Sequence, residues 1–171
     1  MIDDLILSEV ASPIGTLALA CDPEGRLRGV SFAAGLTGAM RREYPRATMR
    51  TGKTPEAVAA GLTAYFGGDR GALDRIDWSL DGAVAGDGFQ ARVWKALAAV
   101  PAGVTISYGE MARRAGEPGA AQAAGVALNR NPIPLVLACH RVVGADGAMV
   151  GFGGGLERKT WLLQHEGALL I

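Results

Sequence analysis

The sequence predicts an α/β N-terminal domain followed by a mainly α C-terminal domain that carries a helix-turn-helix. Three observations predict it. The first third alternates strand-like and helix-like stretches. A small, turn-rich stretch, Asp81-Gly82-Ala83-Val84-Ala85-Gly86-Asp87-Gly88, then interrupts the patterning and reads as a linker. Beyond it come four helical segments, two of them separated only by Gly116-Glu117-Pro118. A chain of 171 residues, 49% hydrophobic, can bury a real core as one or two small domains.

Taken in order, residues 15–20 and 27–32 joined through Asp22-Pro23-Glu24-Gly25 predict a β-hairpin. Residues 35–44 and 55–66 predict helices, the second opening with Thr54 as N-cap and Pro55 at the first helical position. Residues 73–80 predict a strand. After the linker, helices are expected at 89–100, 109–115, 119–129 and 157–164. The 119–129 segment is rich in alanine and glycine. It offers almost none of the Arg, Asn or Gln side chains that read base edges in a major groove. On its own that composition also fits a helix packed tightly in a core.

Composition narrows the function classes. No stretch approaches the ~20 apolar residues of a membrane span, and Asp3 and Asp4 stand where a secretory signal would be basic. A cytoplasmic protein with two free thiols, Cys21 and Cys139, is the expectation. Two cysteines and two histidines lack the spacing of a closed zinc site, so no metal or cofactor is expected. Asp3, Asp4, Asp22, Asp69, Asp74 and Asp77 read as a solvated acidic surface. The net charge is zero, but from Gly88 onward eight basic face five acidic side chains, while the preceding residues carry −3. That bias fits phosphate contact, and it also fits an ordinary domain.

The most informative stretch is Asn131-Pro132-Ile133-Pro134-Leu135-Val136-Leu137-Ala138-Cys139-His140-Arg141-Val142-Val143. An apolar run delivers one thiol beside an imidazole and a guanidinium. The thiolate is the nucleophile, and a neighbouring base or cation lowers a cysteine pKa from its usual ~8.5. The run is therefore expected to be a buried strand ending in an activated sulfur. The bland alternative is a cysteine serving as a small buried apolar residue.

Upstream lie Phe89-Gln90-Ala91-Arg92-Val93-Trp94-Lys95-Ala96-Leu97 and Val100-Pro101-Ala102-Gly103-Val104-Thr105-Ile106-Ser107-Tyr108-Gly109-Glu110. Downstream lie Gly151-Phe152-Gly153-Gly154-Gly155, Lys159, Leu162-Leu163 and Glu166-Gly167. This ordered set resembles the O6-alkylguanine-DNA alkyltransferases, also called methylated-DNA–protein-cysteine methyltransferases. The likeness is dense from Phe89 to Gly167. It is looser at Ser12-Pro13-Ile14-Gly15 and at Leu62-Thr63-Ala64-Tyr65-Phe66-Gly67-Gly68.

The resemblance implies a ribonuclease-H-like α/β domain over 1–84 and a DNA-binding, catalytic domain over 85–171 with a winged-helix-like helix-turn-helix. It implies a monomer that engages double-stranded DNA through the minor groove and flips an alkylated guanine into a pocket, as chemistry on a stacked base demands. By resemblance Cys139 attacks the alkyl carbon, and Glu166, His140 and a water draw off the thiol proton. Tyr108 crowds the 3′ phosphate and reaches the base, and Asn131 braces the active-site backbone. Pro134, the Val142 carbonyl, Phe152 and Gly153 line the substrate pocket. Gln122 and Leu128 stand at the stack-filling and wedge positions, with Ala121, Gly125 and Arg130 on the same DNA-facing element. From the residues alone, Tyr108 also fits a core aromatic, Leu128 a buried helix leucine, Asn131 a turn residue and Glu166 a solvated cap.

Four positions depart from the family pattern. Ala138 replaces the proline before the nucleophile, Phe152 a tyrosine and Gly153 a serine. Gln122 replaces the arginine that fills the stack behind the flipped base, losing charge and a planar guanidinium. The expected function is irreversible alkyl transfer from O6-alkylguanine, or O4-alkylthymine, in DNA to Cys139. One alternative is an alkyltransferase-like sensor that grips the lesion without repairing it. A thiol enzyme acting on small molecules is another, and it leaves the helix pair and the Gly-rich loop unexplained.

Overall fold

The computed structural model describes residues 3–32, 34–144, 147 and 152–169. Gly151, part of the Gly-rich motif, lies outside the described residues. The chain forms two compact units, one of residues 1–86 with 132–136, the other of residues 87–131 with 137–171.

The first unit is built on a four-stranded sheet of β1 (Asp4–Val10), β2 (Leu17–Cys21), β3 (Leu27–Ser31) and β4 (Thr48–Thr51), in the order β3-β2-β1-β4. β1 and β3 run antiparallel to β2, whereas β4 lies parallel to β1. The expected hairpin is β2–β3. Helix α1 (Leu36–Glu43) sets Leu36 and Met40 against Leu5 and Ala20 of the sheet. Gly29 permits this approach, since a Cβ there would fall 2.5 Å from the Met40 methyl.

Three expectations for this unit are corrected. Helix α2 (Glu56–Phe66) has Pro55 as its N-cap, and the Thr54 hydroxyl instead donates to Ser8 Oγ at 2.7 Å. The strand expected over 73–80 is a 3-10 turn, Ala72–Arg75, followed by a single bridge from Trp78 to Leu27. The buried Leu73, Ile76 and Leu80 recur at three and four residues, a helical spacing rather than the alternation of a strand. Asp22 is not solvated. Its buried carboxylate accepts from Arg28 Nε and Arg26 Nε, each at 2.9 Å, and from two backbone amides. Burial alone would raise its pKa, but these donors hold it below the usual carboxylate value.

The second unit comprises α3 (Phe89–Leu97), β5 (Ile106–Ser107), α4 (Tyr108–Arg114), α5 (Ala121–Asn129), β6 (Val142–Val143) and α6 (Leu156–His165). Helix α4 opens with a capping arrangement legible in Ser107-Tyr108-Gly109-Glu110: the Ser107 hydroxyl accepts from the Glu110 amide at 3.0 Å. Gly116 and Gly119, both at positive φ, turn the chain from α4 into α5. Wholly buried Trp94 anchors the pair, its indole donating to the Ala127 carbonyl at 2.7 Å. β5 and β6 form a two-residue parallel ladder, Ile106 beside Val142 and Ser107 beside Val143, with Tyr108 following β5 and the Cys139 turn leading into β6.

The apolar run before Cys139 is not a strand. Residues 132–138 are irregular and Cys139–Arg141 is a 3-10 turn. Pro132 and Pro134 remove backbone donors, and Leu135 adopts φ +78°, so a continuous ladder cannot form.

Candidate active site

Cys139 opens the 3-10 turn. The turn is held by hydrogen bonds from the Arg141 amide to Ala138 O at 3.0 Å and from the Val142 amide to Cys139 O. Asn131, just past α5, donates from Nδ2 to Leu137 O at 2.7 Å, and its side chain also hydrogen-bonds the Cys139 thiol. Ala138, with φ −77°, takes a backbone torsion that proline can adopt, so the family's proline is not needed to make this bend.

The turn places His140 and Arg141 in the interior, where both meet Glu166 at the C-terminal end of α6. His140 Nε2 lies 2.9 Å from Glu166 Oε2. Arg141 donates through Nε to Oε1 at 2.9 Å and through Nη2 to Oε2 at 2.8 Å, while its Nη1 donates to the Val100 carbonyl. His140 and Glu166 are wholly buried. Gly103, at φ +89°, lets the 101–104 turn pass close to Glu166, where a Cβ would lie 3.3 Å from its carbonyl oxygen. The bidentate guanidinium was not anticipated, although the Cys139-His140-Arg141 triplet was its signal.

Burial alone would raise the Glu166 pKa. The His140 and Arg141 hydrogen bonds and charges outweigh it, and the carboxyl stays ionised far below its usual range. An ionised carboxylate only accepts, so the neutral imidazole carries its proton on Nε2. Burial keeps His140 neutral by lowering its pKa. The tautomer leaves Nδ1 as a lone pair, and that buried atom has no hydrogen-bond partner among the described residues.

The expectation of a thiol activated at rest is corrected. Burial pushes the Cys139 pKa up to about 11, against the opposing influence of the Asn131 hydrogen bond and the Lys159 charge. At neutral pH the sulfur holds its proton, and a base must remove it as reaction proceeds. Cys21 is raised to about 12 by burial and by Asp22.

The other expected site residues fall as follows. Tyr108 begins α4, half-buried, its ring beside Gly125 of α5, where a Cβ would lie 3.8 Å from two ring carbons. Burial raises the Tyr108 pKa, and the Cys139 charge adds to the rise. Phe152 meets His140 edge-on, with ring centroids 6.5 Å apart, and Gly153 borders open space. Val142 O accepts from Lys159 Nζ at 2.7 Å. Pro134 belongs to the 132–136 segment of the first unit.

On α5, Gln122 is exposed, as are Asn129 and Arg130 at its end, with Ala121 and Gly125 half-buried between the two faces. Leu128 is on the packed face, 8% exposed, whereas Val126 is a large apolar side chain that α5 presents outward, 49% exposed. Among the described residues no group of three or more His, Cys, Asp or Glu side chains could hold a metal ion. No described helix is long and apolar enough to cross a membrane.

This buried Cys-His-Glu arrangement sits inside a region with known relatives. Residues 88–168 match the family described as 6-O-methylguanine DNA methyltransferase, DNA binding domain. A methylated-DNA–protein-cysteine methyltransferase of Salmonella typhimurium is 38% identical over 175 residues, covering 98% of each chain. The protein of the same name from Mycobacterium tuberculosis is 42% identical over 162 residues, covering 92% of this chain and 89% of its own. Among solved structures, Mycobacterium tuberculosis OGT in complex with DNA aligns at a TM-score of 0.72 with 35% identity, over 96% of this chain and 92% of that one. The O6-methylguanine-DNA methyltransferase of Pyrococcus kodakaraensis shares the fold at a TM-score of 0.68 and 24% identity, over 95% of this chain and 99% of that one. The chain belongs to the methylated-DNA–protein-cysteine methyltransferase family.

Proposed function

We propose that this protein repairs DNA by moving the alkyl group of an O6-alkylguanine, once and irreversibly, onto Cys139. The observation that carries the reading is the buried relay: Glu166 fixes the His140 tautomer, and the open lone pair of Nδ1 belongs to the residue next to the thiol. A water between them completes the path, and the thiol proton passes to Nδ1 as sulfur attacks. The S–C bond forms in line as the C–O6 bond breaks. The bonding electrons return to the guanine, which regains a proton. The imidazolium formed at His140 is stabilised by the ionised Glu166, which Arg141 holds in place. No hydrolytic group in the relay reverses a thioether, so each molecule acts once.

Double-stranded DNA is the partner in this reading. Helix α5 lies along the minor groove, where its small residues allow close approach without sequence readout. The lesion is flipped toward Cys139 past Tyr108, with Val142, Phe152 and Gly153 around the base, and Gln122 takes the stack-filling role. Val126 shares the exposed face of α5 with Gln122. The first unit is read as ribonuclease-H-like, the helix pair with β5 and β6 as winged-helix-like, and the protein as a cytoplasmic monomer. The lesion-sensor reading is not favoured, because the nucleophile and its relay are both present. Incubation with a duplex bearing one O6-methylguanine, followed by intact mass, tests the reading. Transfer gives one added methyl per protein and unmodified guanine in the DNA, and tight binding without mass gain would contradict it.

A further inference from the structure

Phe152 is followed by three glycines, Gly153, Gly154 and Gly155. Gly155 requires its glycine, because its φ of +90° lies in the left-handed region. Gly153 does not. Its φ is outside that region, and a Cβ there would meet nothing within 4 Å. A run of three glycines has more backbone freedom to lose on ordering than any other tripeptide. With no side chains of its own, the run must be held from outside.

Arg158 holds it. The residue lies in the first turn of α6, and helical side chains lean toward the helix N-terminus, so a long one at 158 reaches back over the residues before the helix. Its Nη1 donates to the Gly154 carbonyl at 2.9 Å, a charge-assisted bond. Beside it the Gly155 amide donates to Phe152 O at 2.9 Å, and the Lys159 amide donates to Gly155 O at 3.1 Å. These bonds close the loop end and tie it to α6. At the start of the same loop, Phe152 meets His140 edge-on, with ring centroids 6.5 Å apart. Helix stability does not account for a guanidinium here, because the positive end of the helix dipole opposes it.

We propose that Arg158 is a positioning residue for alkyl transfer: by holding the Gly154 carbonyl it fixes the 152–155 loop, and with it Phe152 against His140 and the loop backbone beside the flipped base. The proposal rests on the reading of Cys139 as alkyl acceptor and of Phe152 and Gly153 as walls of the base pocket. Arg158 touches no reacting atom in this account. A loosened loop lets the base tilt from the line of attack, which lowers the rate at saturating substrate and leaves DNA affinity intact.

The test compares Arg158→Met, which keeps the stem and removes the donor, with Arg158→Lys, which can still donate to one carbonyl. Single-turnover rates are measured on saturating methylated duplex and on free benzylated guanine, together with duplex affinity and exchange of the Gly155 amide. Arg158→Met should slow transfer about tenfold on both substrates, as loss of one charge-assisted bond implies. Its Gly155 amide should exchange faster by a similar factor, with duplex affinity held within about twofold. Arg158→Lys should recover most of the rate and of the protection. An unchanged rate in Arg158→Met, or slowing without faster Gly155 exchange, would overturn the proposal. Slowing on duplex alone, with weaker and less salt-dependent binding, would also overturn it and make Arg158 a phosphate contact. Should Arg158→Met fail to fold, the guanidinium resonances of 15N-arginine-labelled unaltered protein supply the reading. Separate, slowly rotating Nη signals for Arg158 are expected, and one averaged signal would overturn the proposal. Absence of transfer by the unaltered protein would strike the reading of function instead, and Gly155 exchange would still decide whether Arg158 holds the loop.

Discussion

Arg141 and Glu166 form a buried bidentate pair, with Nε to Oε1 at 2.9 Å and Nη2 to Oε2 at 2.8 Å. The same Oε2 faces His140 Nε2 at 2.9 Å. The carboxylate that sets the imidazole tautomer is therefore held from its other side by a side chain one residue further along the turn.

Arg141→Met should leave Glu166 as a buried charge with one partner fewer, destabilising the protein by about 3–5 kcal/mol. Arg141→Lys should recover only part of that, because an ammonium cannot reproduce the fork. Urea unfolding checks both. Losses below about 1 kcal/mol would show that the pair contributes little.

Glu166→Gln keeps the size of the side chain but no longer demands the proton on Nε2. Transfer should slow by one or more decades, within the range of acid–base assistance, while affinity for methylated duplex changes little. Single-turnover kinetics and a binding titration separate the two. An unchanged rate would mean that another group takes the thiol proton.

Stability should fall on both sides of neutral pH. His140 titrates below its usual 6.5 in the folded protein, so the unfolded chain takes up that proton first and stability declines as pH drops below about 6.5. Glu166, held below its usual 4.5, contributes stability present above that value and lost as pH falls further. Cys139, raised from 9.0 to about 11, contributes stability present below pH 9 and lost as pH rises toward 11. Denaturant midpoints from pH 5 to 10.5 should trace this dome. A flat acid limb would contradict the buried neutral His140.

Much of this was legible in the sequence. The hairpin, α1 and α2, and the four helices of the second unit followed from patterning and turn residues such as Gly116-Glu117-Pro118, whereas the Ser107 cap of α4 was not read from the sequence. The Cys139-His140 and Glu166 partnership came only by resemblance, since 26 positions separate His140 from Glu166 and only the turn and the end of α6 unite them. β1 and β4 escaped because Asp4–Val10 and Thr48–Thr51 are short and part-polar, and sheet pairing decides them. The strand expected before Cys139 failed because an apolar run does not reveal its torsions, and Pro132, Pro134 and Leu135 bend this one. Burial of the sulfur was expected, but that it outweighs the groups that lower the thiol pKa depends on packing that the sequence does not show.

Gln122 is exposed on α5, where an arginine would add charge, planar stacking and hydrogen bonds toward an orphan base. Gln122→Arg should tighten binding to duplex containing alkylguanine by about 1–3 kcal/mol and leave reaction with free benzylated guanine almost unchanged. Equal effects on both substrates would remove position 122 from the vacated stack.

The central claim is that Cys139 alone accepts the alkyl group. Digestion of the reacted protein and fragment mass mapping should place the added methyl on the peptide holding Cys139 and leave Cys21 unmodified, with Cys139→Ala accepting none. A methyl found on Cys21, or taken up by Cys139→Ala, would contradict the account.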